Sequence, residues 1–250
     1  MTRTAKAPMR FAISSVAVDG AVARVDGAEL HHMRDVMRLA PGTAIALFDE
    51  RGAEYAGTIR SYEARHALVE IAAAASPRAE STAGLILAAA VIKGPRMDFL
   101  VEKAAELGAA ELWPVLCAHG VIREVGGERL ARWRRLAIAA AKQSLAPRAI
   151  EIAAPLGLGD LIRRPDRGRL CVVLSPGAPA LGAVLRAARR RSILLLCGPE
   201  GGFTEDELAA VRAAGFVAAG LGGRRLRSET AAFAALSIAA GTLNEFEGED

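Results

Sequence analysis

The chain has 250 residues, a mass of 26.1 kDa and a formal net charge of +4. With 52% hydrophobic and 24% charged residues, it is neither mainly disordered nor fibrous. Its longest nearly unbroken apolar runs, Leu85 to Ile92 and Ala231 to Ala240, fall far below the roughly 18 residues of a membrane-spanning helix.

The first 75 residues hold short alternating runs, which predict strands at Arg10 to Ser14, Ala21 to Val25, Ala44 to Phe48, Glu54 to Ser61 and His66 to Ile71. Asp19-Gly20 reads as a two-residue hairpin turn between the first two, and Pro41-Gly42 as a turn before the third. One short helix, Glu29 to Leu39, interrupts them, so residues 1–75 are expected to form a small β-rich domain of barrel type. Residues 76–82, Ser-Pro-Arg-Ala-Glu-Ser-Thr, break both periodicities and are expected to be a linker.

From residue 83 to 250 the rhythm changes to strand and helix in alternation, which predicts a mainly parallel sheet covered on both faces. Leu85 to Ile92 suits a buried strand. Pro95 opens a helix with Met97, Leu100, Val101 and Ala104 at helical spacing, ended by Gly108. A strand at Glu111 to Leu116 and a long arginine-bearing helix at Glu128 to Leu145 follow. Further strands are predicted at Leu170 to Leu174, Ile193 to Cys197 and Phe216 to Ala219, with helices near Ala180 to Arg190, Glu205 to Ala214 and Glu229 to Leu243.

Residues 1–75 hold nine charges of each sign and residues 151–250 twelve of each, so residues 76–150 carry the whole excess, eleven basic against seven acidic. A mid-chain basic surface implies a polyanionic partner. With only 4% aromatic residues, binding by stacking many bases is disfavoured. Cys117, Cys171 and Cys197 are widely spaced without a CxxC pair, so they read as core residues rather than disulfide or zinc ligands. Adjacent His31 and His32 point about 100° apart on a helix and lack partners at zinc spacing, so no metal is expected. The segment after Arg3, Lys6 and Arg10 lacks the apolar stretch of a secretory signal, so a cytoplasmic location is expected.

Two glycine-bearing loops follow late strands, where ligands bind in open α/β sheets. One is Cys197-Gly198-Pro199-Glu200-Gly201-Gly202, bounded by a Thr204/Glu207 capping-box pattern. The other runs from Gly220 to Arg227, before Ser228 as N-cap of the last helix. Neither is a Walker A loop or a GxGxxG fingerprint, so the ligand is expected to be held mainly by main-chain groups. A tight turn needing positive φ is the competing explanation for each glycine cluster.

CGPEGGFTEDE and LGGRRLRSETAAFAALS resemble the two signature segments of the SPOUT methyltransferases, specifically the type that methylates N3 of a uridine in 16S ribosomal RNA. KGPRMDFLVEKAAELGAAELWPV resembles the opening of that family's catalytic domain, and ERLARWRRLAIAAAKQSLAPR its basic helix. HHMRDVMRLAPG resembles its N-terminal, PUA-like RNA-binding barrel. Two departures from the family are visible: Leu-Ala-Pro separates Gln143-Ser144 from Arg148, and Met1 to Pro8 precede the usual start.

The resemblance implies a trefoil-knotted SPOUT domain, a homodimer and S-adenosylmethionine as cofactor. It places the cofactor against Leu174, against Leu196, Cys197, Gly198, Pro199, Glu200, Gly201 and Gly202, and against Leu221, Gly222, Leu226, Arg227 and Thr230. RNA contacts are implied for Arg10, His32, Arg34 and Arg38 in the first domain, and for Lys93, Arg96, Arg132, Arg135, Gln143, Ser144 and Arg148 in the second. Methylation at N3 requires loss of an imino proton. Glu200 and Glu229 are the candidate acceptors, and Arg225 or Arg227 the stabiliser of charge on a uracil oxygen. Glu229 reads equally as a helix-start carboxylate complementing the dipole. Two other functions stay open at this level: methylation of a ribose 2′-oxygen, and a non-catalytic ribosome-assembly factor that binds RNA.

Overall fold

The structure is a computed structural model that describes residues 9–14, 17–49, 53–75, 84–144, 146, 148–164, 168–190 and 192–247. The expected linker, residues 76–82, lies outside them. The chain divides into two units, Met1–Ala79 with Ala141–Ala149, and Glu80–Ala140 with Ile150–Asp250. The segment 141–149 thus groups with the first unit.

The first unit is built from β1 (Arg10–Ala12), β2 (Val18–Asp19), β3 (Val22–Asp26), α1 (Gly27–His31), β4 (Ala44–Phe48), β5 (Glu54–Tyr62) and β6 (His66–Ala75). Alternation of small or apolar with polar residues puts Ala23, Val25, Ile59, Ala67 and Val69 on the buried side of their strands, around Phe11, Met33 and Leu47. The pairing order is β1-β4-β5-β6-β3-β2, antiparallel except for β1 with β4. Among the described residues this order runs from β1 at one end to β2 at the other. One expectation is corrected. The hairpin turn is Gly20-Ala21, and it joins β2, not β1, to β3. The expected helix Glu29 to Leu39 is regular only through α1 and then widens over His32–Val36, where the Met37 N–H donates to the His32 carbonyl five residues back at 2.9 Å. Arg38, at φ 51, ends it in the left-handed region.

In the second unit, β7 (Leu85–Ala90), β8 (Glu111–Leu116), β9 (Glu151–Ile152), β10 (Leu156–Gly157), β11 (Leu170–Leu174), β12 (Ile193–Cys197) and β13 (Val217–Ala219) form one all-parallel sheet. Its order is β10-β8-β7-β12-β11-β13, with β9 also on β8. Every residue of β7 is buried, as a strand covered on both faces requires. Leu85, Leu87 and Ala89 face a core completed by α2 (Pro95–Glu106), α3 (Gly127–Ser144), α5 (Leu181–Ala188) and α7 (Ser228–Glu247). Ile86, Ala88 and Ala90 face a second core with residues of α4 (Leu158–Ile162) and α6 (Glu205–Ala213). β9, β10 and α4 were not legible in the periodicity, each being five residues or fewer.

An earlier connection runs close against the end of the last strand. The Gly220 N–H donates to the Pro179 carbonyl at 2.7 Å, and the Gly220 carbonyl accepts from the Leu181 N–H at 2.9 Å. A Cβ on Gly220 would sit 2.6 Å from the Ala178 carbonyl oxygen, so only glycine passes here. This is the kind of chain crossing that a trefoil-knotted domain needs.

Candidate active site

Because β11, β12 and β13 run parallel, their following loops emerge at one edge of the sheet. Leu174 ends β11, Leu196 and Cys197 end β12, and the two glycine loops follow β12 and β13. Backbone hydrogen bonds join the connections: the Ser175 N–H donates to the Ala219 carbonyl at 2.9 Å. The expected cofactor segments are therefore brought together.

Each glycine in these loops has its own reason. The Gly202 N–H donates to the Pro199 carbonyl at 2.9 Å, closing a turn in which Gly202 has φ 72. Gly222 has φ 98. A Cβ on Gly198 would lie 2.9 Å from the Phe203 ring, and one on Gly201 3.0 Å from His119 Cβ. For these four the tight-turn or packing explanation suffices. Gly223 differs: its φ lies outside the left-handed region, and no protein atom lies within 4 Å of the position a Cβ would take. Neither strain nor packing asks for glycine there, and the space beside it is open to a ligand.

Ser228 ties the second loop to the first. It is 5% exposed, and its hydroxyl donates to the Gly198 carbonyl at 2.6 Å. The Ala231 N–H donates to the Arg227 carbonyl at 2.8 Å, so Arg227 holds the N-cap position and Ser228 is the first helical residue, not the cap expected from sequence. The Cys197 thiol donates to the Ser228 carbonyl, with Sγ 3.4 Å from the oxygen. Burial pushes that thiol up to about 12. On the other side, the expected capping box is present: Thr204 Oγ1 accepts from the Glu207 N–H at 3.1 Å and Glu207 Oε2 from the Thr204 N–H at 2.9 Å. Glu207 Oε1 accepts from the Ala118 N–H at 2.7 Å, binding α6 to the loop after β8.

The charged residues fall into three settings. Arg96, in the first turn of α2, bridges two carboxylates: its Nη2 lies 2.7 Å from Glu200 Oε1 and its Nη1 3.8 Å from Glu229 Oε2. The Glu229 side chain is only 10% exposed, and its Oε2 is buried without a hydrogen bond. Arg225, Arg227 and Thr230 are exposed beside it, whereas Leu221 and Leu226 are half-buried. His119, outside both glycine loops in the sequence, sits against Gly201, with Nδ1 3.2 Å from its carbonyl oxygen. A lone histidine after a strand carries no local signal that predicts this approach.

Among the expected RNA contacts, Arg10 is a correction. Its side chain is 5% exposed, pairs with Glu54 at 3.1 Å, donates to the Ala146 carbonyl at 2.8 Å and lies 4.6 Å from the Phe48 ring centroid. It holds the 141–149 segment to β1 and β5 and is not at an RNA surface. Lys142 of the same segment meets the Glu29 carboxylate. His32, Arg34 and Arg38 are exposed, with Arg34 hydrogen-bonded to Asp35. In the second unit Lys93 and Arg135 are exposed, and Arg132, also exposed, pairs with Asp98 at 2.9 Å. Gln143 is exposed and Ser144 and Arg148 are half-buried. No cluster of metal-ligating side chains occurs among the described residues.

The RNA methyltransferase domain family matches residues 79–240, and the RNA methyltransferase PUA domain family matches residues 25–72. The chain belongs to the RNA methyltransferase family. Ribosomal RNA small subunit methyltransferase E from Mycobacterium bovis is 32% identical over 244 residues, covering 91% of this chain and 89% of the relative. Its counterpart in Synechocystis sp. is 29% identical over 232 residues, covering 91% and 76%. The crystal structure of ribosomal RNA small subunit methyltransferase E from Neisseria gonorrhoeae bound to S-adenosyl methionine is 30% identical, covers 93% of this chain and 96% of that one, and superposes with a TM-score of 0.82. The architecture of this methyltransferase is thus a PUA domain followed by an RNA methyltransferase domain.

Proposed function

We propose that this methyltransferase transfers a methyl group from S-adenosylmethionine to N3 of a uridine in 16S ribosomal RNA, acting as a cytoplasmic homodimer on the small ribosomal subunit. The observation that carries the reading is the convergence of two glycine loops at the C-terminal ends of β12 and β13, the parallel strands on either side of β11. It is joined by likeness to a relative solved with S-adenosyl methionine. The donor set fits that cofactor. Backbone groups of 196–202 and 221–226 offer hydrogen bonds, and the position beside Gly223 is open. When bound, S-adenosylmethionine supplies an electrophilic methyl group on sulfur.

The protein's own residues then have two tasks. The buried oxygen of Glu229 that makes no hydrogen bond accepts the imino proton as N3 attacks, while Arg96, 3.8 Å away, orients the carboxylate. Arg225 and Arg227, exposed at the loop rim, stabilise negative charge developing on a uracil oxygen. The N3–H bond breaks toward Glu229, the N3–C bond forms, and the sulfur–methyl bond breaks with its electrons returning to sulfur. Alignment of N3, methyl carbon and sulfur supplies much of the remaining acceleration. Phe99 on α2 is 46% exposed and packs edge-on against Phe233 of α7 at 5.4 Å. This apolar surface supports pairing of two copies. The test is methyl transfer to small subunits from cells lacking this modification, with the cofactor and the RNA supplied separately as controls.

A further inference from the structure

Residues 151–250 balance twelve basic against twelve acidic residues, yet the two signs are segregated. Eight of those twelve basic residues are arginines between positions 163 and 191, with Asp166 as their only acidic neighbour in that stretch. The described ones among them come before the starts of β11 and β12. The two strands are parallel neighbours with Leu170 opposite Ile193, and the Leu170 N–H donates to the Ser192 carbonyl at 2.9 Å. Arg164 and Arg169 precede β11, and Arg189 and Arg190 precede β12. The methyltransferase loops leave the opposite ends of these two strands.

Two of these guanidinium groups are held against an aromatic ring, with no carboxylate paired to them among the described residues. Arg164 Cζ lies 4.4 Å from the centroid of the Trp113 ring, and Arg169 Cζ 5.8 Å from it. The indole is itself fixed, its Nε1–H donating to Glu111 Oε2 at 2.7 Å. A cation–π contact engages a face of the guanidinium and leaves the N–H donors in its plane unspent. Among the described residues neither Arg164, Arg169 nor Arg190 makes a hydrogen bond or ion pair with a carboxylate, and Arg190 is exposed. Arg163, by contrast, pairs with Asp160. The planar fork of arginine matches phosphate oxygens in pairs.

We propose that this edge of the sheet is a second RNA-binding surface, gripping the phosphate backbone of the substrate RNA at a distance from the reacting nucleotide. The proposal rests on the RNA-substrate reading above. It accounts for positioning rather than sequence choice, since bonds to phosphate fix register and carry no base information.

The test compares wild type with Arg164→Gln/Arg169→Gln and with the single Arg190→Gln, which touches no ring. Binding to purified small subunits and to 16S RNA transcript is measured across salt concentrations, beside cofactor titration and thermal melting. Every phosphate that is no longer neutralised should lower the slope of log affinity against log salt by about 0.9 for duplex-like sites, so by about 2 for the double variant and about 1 for Arg190→Gln. Affinity of the double variant near 0.15 M salt should drop by about tenfold or more, with KM for subunits rising and kcat kept. Unchanged slopes and KM in both variants, with wild type active, would overturn the surface and leave the methyltransferase reading intact. If the double variant melts early or loses cofactor, Arg190→Gln alone decides by its slope. A wild type that methylates no ribosomal RNA while the slopes still differ would instead overturn the substrate reading and keep the surface. Equal RNA binding by all three proteins, with charge-dependent capture only by anionic vesicles, would also overturn the proposal.

Discussion

Gly223→Ala separates a glycine kept for a ligand from glycines kept for the chain. At this position an added methyl meets no protein atom within 4 Å and the backbone is one any residue adopts. Folding should therefore be unharmed, or gain about 0.4–1 kcal/mol from a less flexible unfolded chain. If the cofactor lies against this backbone, the same methyl must be accommodated by the ligand or the loop. Overpacking of that kind costs about 1–3 kcal/mol, or roughly a 5- to 150-fold loss of affinity. Gly202→Ala is the contrast: at φ 72 it is strained whatever the ligand does, and should lose about 1 kcal/mol of stability. Calorimetric titration with S-adenosylmethionine and a melting curve on each protein measure the two effects. A Gly223→Ala protein of unchanged stability and unchanged cofactor affinity would refute the placement of the ligand beside this loop.

Three further outcomes follow from the same geometry. Ser228→Ala removes the donor to the Gly198 carbonyl and should cost about 1–3 kcal/mol in a denaturant titration while weakening cofactor binding, because both glycine loops lose their shared tie. Cys117 and Cys197 are both buried and pushed up to about 12, so a thiol reagent at pH 8 should modify at most Cys171 in the native protein and all three cysteines after unfolding. The same two thiols stay protonated in the native state while unfolded ones ionise near their ordinary 9.0, so stability should decline as pH rises from that value toward about 12. Phe233→Asp puts a charge into the apolar surface shared with Phe99 and should lower both the dimer population, read by light scattering, and activity; a fully active monomer would show that pairing is not needed.

What the sequence made legible depended on how local the signal was. β7 and the capping box at Thr204 declare themselves within a few residues, as a continuous apolar run and as Thr-x-x-Glu before a helix. The glycine loops could be placed at strand ends because parallel strands bury runs such as Ile193 to Cys197. Arg10 was misread because its partners, Glu54 and the Ala146 carbonyl, lie 44 and 136 residues away, and a strand arginine looks the same whether it is solvated or buried. Ser228 looked like a cap for the same reason: its acceptor, Gly198, is 30 residues distant. The Arg96, Glu200 and Glu229 bridge joins three elements and has no sequence spacing at all. The arginines before β11 and β12 were hidden by a charge count that balances over 100 residues and only separates once parallel strands bring their starts to one edge.

The atom that receives the methyl group distinguishes this enzyme from its nearest alternatives. Small ribosomal subunits from cells lacking the modification are incubated with the protein and S-adenosylmethionine, and their 16S RNA is digested to nucleosides for mass spectrometry. The expected result is one new product, 3-methyluridine, formed by wild type and reduced by on the order of a hundredfold or more in Glu229→Gln, whose side chain can no longer accept the proton. A 2′-O-methylated nucleoside, or no methylated product from a folded, cofactor-binding protein, would contradict it.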